Sequence, residues 1–321
     1  MEQPRFTISR SAARTLNAVI AAVIMAAMAP APAVGQVTPD GYDPEGASYP
    51  GNLPFFYDLY TFRGDAGRTA VVAAFAVPAG ELRADRVDGG VRYRFDVTLV
   101  LADTIQRSVT RTDDSVYVSL PRRLGRDHLL YTQVEVAAPP SRHIQQRVVL
   151  VEANIPGVGQ LYHSPFPIRD YAGTGLMLSD IALGNPVAEE DAWRRGDVTL
   201  ALLPTTQFPS SAFNVYYEIY NLPHGHEYTT EIHVESLDPD RSGHDPVGLR
   251  FTEEAAPDEE GRIQELRYVQ SSLDPGRYRL TVTVTDQATG EIVRRSREFH
   301  VRGWERGATL VPAHPWKTPS G

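Results

Sequence analysis

The run VRYRFDVTLVLAD, residues 91 to 103, constrains this chain more than any other feature, because apolar and polar side chains alternate along it without a break. A period of two is the signature of a β-strand with one buried face. Val91, Tyr93, Phe95, Val97, Leu99 and Leu101 share that face. RTAVVAAFAVP places Val71, Ala73, Phe75 and Val77 together and stops at Pro78; FNVYYEIYNL, at 213 to 222, does the same with Phe213, Val215, Tyr217 and Ile219. Gly, Pro and Asp punctuate these runs, and no long amphipathic helix follows the N-terminal region. The pattern predicts an all-β chain of antiparallel sandwiches.

An internal repeat divides it in two. HLLYTQVEVAAPPSRHIQQRVVLV (128 to 151) aligns with GRYRLTVTVTDQATGEIVRRSREFHV (276 to 301), each being a strand, a loop and a second strand. Val136 and Ile144 flank the first loop with the same separation as Val284 and Ile292 flank the second. Matched spacing predicts two tandem Ig-like or fibronectin-like sandwiches, each closed by a hairpin, with Gly290 supplying a positive φ in the second turn. In LDPGRYRL, Tyr278 is placed to cap the corner through its hydroxyl. The boundaries expected are a signal peptide at 1–35, a Pro/Gly-rich linker at 36–52, sandwiches at 53–170 and 171–303, and a Pro-rich tail at 304–321.

The N-terminus carries Arg5, Arg10 and Arg14, then the apolar run LNAVIAAVIMAAM, then APAVGQ. This order reads as a secretory signal peptide cleaved after Ala33 or Gly35; the rival reading is an uncleaved anchor. No other segment is apolar enough to span a bilayer. Formal charge is −9 for the whole chain, and removing the leader, itself +2, leaves −11. So acidic a chain is poorly suited to nucleic acid or anionic membranes. There is no cysteine, which excludes disulfides, thiol catalysis and cysteine metal sites. The Ala-, Arg- and Pro-rich composition, with Lys317 the one lysine, suggests a GC-rich bacterial source. The expected location is periplasmic or extracellular.

Three stretches, FYDLYTFRGDAGRTAVVAAFAVPAGEL, RDYAGTGLMLSDIALGNP and FNVYYEIYNL followed by YTTEIHVE, resemble the paired β-sandwich region of the bacterial GWxTD domain-containing proteins. The resemblance spans roughly residues 53 to 301. It departs at the defining motif: Gly303-Trp304-Glu305-Arg306 stands where Gly-Trp-x-Thr-Asp would be sought. It implies fold and export, and no chemistry.

Candidate sites are few. Tyr216, Glu218 and Tyr220, on the second face of FNVYYEIYNL, offer stiff amphipathic area around a carboxylate and are the candidate partner-binding surface if that face is open; if covered, they are interdomain packing. His224 and His226 form a His-x-His that could meet one ion, with His233 as a conceivable third ligand, but no third ligand is fixed by spacing and a hairpin turn with solvated histidines is the preferred reading. Asp238, Asp240 and Ser242 have the cadence of a calcium loop, but Leu249 stands where a bidentate glutamate is needed. Gly-x-Ser-x-Gly and phosphate-binding glycine loops are absent, and no cofactor is implied. The expectation is an exported, non-enzymatic interaction or scaffold protein of the cell envelope that binds a protein or glycan. The alternative is an envelope-polymer hydrolase using loop carboxylates or histidines.

Overall fold

The computed structural model describes residues 53–125, 128–155, 158–186, 192–204, 212–238, 247–270, 273–301 and 309–315. In chain order, β1 (Phe56–Arg63), β2 (Thr69–Pro78), β3 (Asp85–Val87), β4 (Gly90–Asp103), β5 (Val109–Leu120), β6 (His128–Ala138), β7 (Ile144–Glu152) and β8 (Gly159–Pro165) build the first sandwich. One sheet is β1-β2-β6, and the facing sheet is β5-β4-β7-β8 with β3 beside β4. The face predicted for β2 meets the face predicted for β4: Val71, Ala73, Phe75 and Val77 pack with Tyr93, Phe95, Val97, Leu99 and Leu101.

The second sandwich follows as β9 (Met177–Leu178), β10 (Ala182–Pro186), β11 (Trp193–Arg195), β12 (Val198–Leu202), β13 (Ala212–Tyr220), β14 (Glu227–Ser236), β15 (Val247–Glu254), β16 (Arg262–Gln270), β17 (Gly276–Asp286) and β18 (Ile292–Val301). Its sheets are β11-β12-β10-β13-β16, with β9 also on β13, and β15-β14-β17-β18. Phe213, Val215, Tyr217 and Ile219 face Ile232, Val234, Leu280, Val282 and Val284 across its core. Tyr278 does cap its corner, donating to the Asp274 carbonyl at 2.8 Å. Gly290 sits at φ +75 in the β17–β18 turn.

The two repeated segments differ in a way their spacing did not predict. β17 and β18 pair directly as a hairpin, whereas β6 pairs β2 and β7 pairs β4, so the first copy crosses from one sheet to the other. Pro139 and Pro140 explain the difference: neither offers an N–H, both fix φ, and no glycine is available between β6 and β7 for a tight turn. Within the segment expected to be a Pro-rich tail, the chain instead returns to the first sandwich. There β19 (Thr309–Pro312) pairs in parallel with β6, and β20 (His314–Pro315) pairs with β5. Ala313 between them is buried in the first core, and Val311 packs against it.

A third apolar layer lies between the sandwiches. Tyr60, Phe62, Ala70, Val72 and Ala74, on the outer face of β1 and β2, pack against Ala182, Trp193, Leu200, Leu202 and Tyr216 of the second sandwich. Four sheets therefore stack face to face, and β1, β2, β10 and β13 of the two middle ones are buried on both sides, whereas Leu266 and Tyr268 of β16 and Glu135 of β6 stay exposed. The small residues of β2 permit this, since Ala at alternate positions lets the layers approach closely. Among the described residues no helix is long and apolar enough to cross a membrane.

Candidate functional site

Strand β13 carries Tyr216, Glu218 and Tyr220 on its outer face, and all three are fully buried in the seam between the sandwiches. The condition for an exposed partner-binding surface is not met: the first sandwich covers them. What makes this burial possible is mutual saturation. Glu218 Oε1 accepts from the Tyr216 hydroxyl at 2.6 Å and from Arg195 Nε at 2.5 Å; Oε2 accepts from the Tyr220 hydroxyl at 2.5 Å and from Arg195 Nη2 at 3.1 Å. Burial first, and then the Glu218 charge, push both phenols well above their ordinary pKa. Burial opposes the Arg195 charge, but Glu218 outweighs it and raises that pKa.

Arg195 is delivered by the β11–β12 hairpin, where Gly196 adopts φ +55 and lies so close to Gln264 that a Cβ would stand 2.1 Å from its Oε1. The same hairpin sets Trp193 against Phe62, with ring centroids 5.3 Å apart. Across the seam, Arg195 Nη2 donates to the Arg63 carbonyl at 2.5 Å, the Arg63 N–H donates to the Tyr220 hydroxyl at 2.8 Å, and the Tyr60 hydroxyl donates to the Leu203 carbonyl at 2.7 Å. Asp180 Oδ2 accepts from the Thr61 N–H at 2.9 Å and the Thr61 hydroxyl at 2.6 Å.

Sequence reasoning missed two seam residues on β18. Arg295 and Arg297 occupy the face that Val293, Phe299 and Val301 turn to the core, opposite Val282 and Leu280. Arg297 reaches Asp58 at 2.6 Å and the Leu59 carbonyl at 2.9 Å; Arg295 donates to the Leu178 and Ser179 carbonyls. The detectable signal was a pair of arginines in phase with core residues. The stretches FYDLYTFRGD, LMLSDI and FNVYYEIYNL, separated in sequence, all meet here.

The loop candidates do not converge. His226 Nδ1 lies 3.0 Å from Asp286 Oδ2, and Asp286 also accepts from the Thr289 hydroxyl and the Ala288 N–H, so the carboxylate organises the β17–β18 turn. Burial works against ionisation of Asp286, but these donors outweigh it and lower its pKa. Thr289 donates to the aspartate and not to the histidine, so this is no nucleophilic triad. His233 lies on β14, seven residues beyond His226, which just precedes that strand; at 3.3 Å per residue this is about 23 Å, too far to share its ion. His224 is exposed beside the turn. Asp238 meets the Arg277 N–H at 3.3 Å, while Asp240 and Ser242 lie outside the described residues. Among the described residues no group of three histidines or carboxylates could hold a metal.

A concave site does open at one end of the seam. A cleft of about 920 Å³ runs between the β6–β7 crossover, the linker between the sandwiches and β18. Arg142, Arg169, Arg294 and Arg295 line it, with Asp170 as the acidic lining residue. A second polar cluster joins the open edges of the second sandwich: the Tyr228 hydroxyl donates to Glu265 at 2.5 Å and lies 3.1 Å from a Glu253 oxygen, and Arg267 pairs with both carboxylates. Burial raises the Glu265 pKa; burial also acts on Glu253, but Arg267 outweighs it and lowers that one.

No family model matches the chain, and no curated protein matches it. Among solved structures, the crystal structure of red sea bream transglutaminase is similar to it at 13% identity and a TM-score of 0.25, over 85% of this chain and 34% of that one. The chain thus spans about a third of the length of that protein.

Proposed function

We propose that the chain is an exported, non-enzymatic interaction or scaffold protein of a bacterial envelope that binds a protein or glycan partner. One observation carries this reading: the titratable groups lining the concave site are chiefly arginines. A guanidinium stays protonated at any working pH, so it holds an anion well and serves poorly as a general acid or base. The order of basic, apolar and small residues at the N-terminus and the likeness to the sandwich region of GWxTD domain-containing proteins support the envelope setting. The stacked sheets supply a stiff frame for presentation.

The alternative, an envelope-polymer hydrolase, has one arrangement in its favour: Glu253 and Glu265 have pKa values moved in opposite directions, as an acid and base pair would. Against it, both carboxylates bind the same guanidinium and the same phenol, and Glu265 is buried. Affinity capture from an envelope extract tests the proposal. A stoichiometric protein or a glycan retained by the wild type is the expected result. Recovery of neither, together with turnover of an envelope polymer that Glu265→Gln abolishes, would replace it with the hydrolase reading.

A further inference from the structure

We propose that the arginine-lined cleft at the end of the seam is a binding site for a small saccharide bearing an oxyanion, a uronate carboxylate or a sugar phosphate. The charge around it is out of balance. Arg169 Nε and Arg295 Nε approach the same oxygen, Asp180 Oδ1, at 3.5 and 3.9 Å, while Asp180 Oδ2 is taken by Thr61. One carboxylate thus faces two guanidiniums. Arg142 adds a third cation and forms no ion pair among the described residues, while Arg294 lies on the other face of β18 from Arg295, where its Nε donates to the Thr283 hydroxyl at 3.2 Å. Asp170 is the acid in the lining itself, its Oδ1 already accepting the Ala172 N–H at 2.8 Å, and Glu291 next to the lining accepts the Leu176 N–H at 3.1 Å.

The strain of this surplus falls on Arg295, whose side chain is 17% exposed. Burial first, then repulsion by Arg169, lower its pKa from the ordinary value. An oxyanion between the two guanidiniums relieves that repulsion, and the planar fork of arginine matches a carboxylate or phosphate edge. Met177 and Val293 give the cleft a half-buried apolar wall for the C–H face of a sugar ring.

Size follows from the charge of the whole molecule. At −9 overall, the chain repels extended polyanions and anionic bilayers, and screening confines the arginine field to about 8–10 Å in physiological salt. The ligand must therefore place its charge inside the cleft, and about 920 Å³ lies within the range of small-molecule sites. The substrate class deepens the binding reading above and rests on it in one respect, that the saccharide is held and not cleaved.

Titration calorimetry of the intact protein with trigalacturonate, glucose 6-phosphate, maltotriose and inorganic phosphate tests the site. Saturable binding of trigalacturonate or of glucose 6-phosphate, weakening as salt rises, is expected, and which one binds identifies the oxyanion. Arg142→Gln, at an exposed position, should weaken it about tenfold or more with the melting temperature unchanged. Asp170→Asn should tighten it. Equal affinity for maltotriose, equal affinity for phosphate alone, or no binding of either charged saccharide at millimolar concentration would overturn the proposal. Binding followed by cleavage of trigalacturonate would keep the anion site and sink the non-enzymatic reading instead.

Discussion

Strand β13 is buried on both faces, yet the two faces hold their layers together by different physics. On the inner side Phe213, Val215, Tyr217 and Ile219 meet an apolar core. On the outer side Tyr216, Glu218 and Tyr220 form a closed set of charge-assisted hydrogen bonds with Arg195, set beside the aromatic contacts of Phe62 and Trp193. An apolar face tolerates any neighbour of the right volume, whereas a buried charge tolerates one partner in one geometry. The inner face builds a sandwich, and the outer face specifies which surface another sandwich must present.

The sharpest way to break that contrast is Glu218→Ala. It leaves Arg195 unpaired in the seam, and a loss of about 3–5 kcal/mol in unfolding free energy is expected. Calorimetry should then resolve two transitions where the wild type shows one, because the seam fails before either core. Phe213→Ala, on the opposite face, should cost about 3–5 kcal/mol as a cavity while the two sandwiches still melt together. If the two variants melt alike, the contrast fails. Asp58→Ala, which strips the partner from Arg297, is expected to cost about 2–3 kcal/mol, read by urea unfolding. Tyr60→Phe, which leaves the Leu203 carbonyl without its donor across the seam, should cost about 1–3 kcal/mol. The smallest change is expected from Tyr278→Phe, about 1 kcal/mol for the corner hydrogen bond inside one sandwich.

How far these features were legible in sequence depends on how locally they are encoded. The inner faces of β2, β4 and β13 could be read because alternation is a property of neighbouring residues. The second buried face of β2 left a trace too: Ala70, Val72 and Ala74 make TAVVAAFAV nearly continuous, as expected for a strand covered on both sides. Nothing local distinguished a solvated Tyr-Glu-Tyr face from a buried one, because Arg195 and Arg63, which decide the matter, come from distant strands. The crossover after β6 was hidden by matched spacing, although Pro139 and Pro140 marked it. The arginine cleft draws on the crossover loop, the linker and β18, and its charge balance is set by Asp180, so only folding brings it into being.

The return of the chain through β19 bears on the order of assembly. This edge strand of the first sandwich is synthesised after every strand of the second, and its register on β6 closes a loop that contains the entire second sandwich. Long-range pairings of this kind come late, since their closure entropy must be met before they add contacts. The second sandwich, contiguous in sequence, can mature while the first still exposes an open edge on β6. That edge is a vacant template for a foreign strand throughout the wait, and β19 acts as its delayed lid.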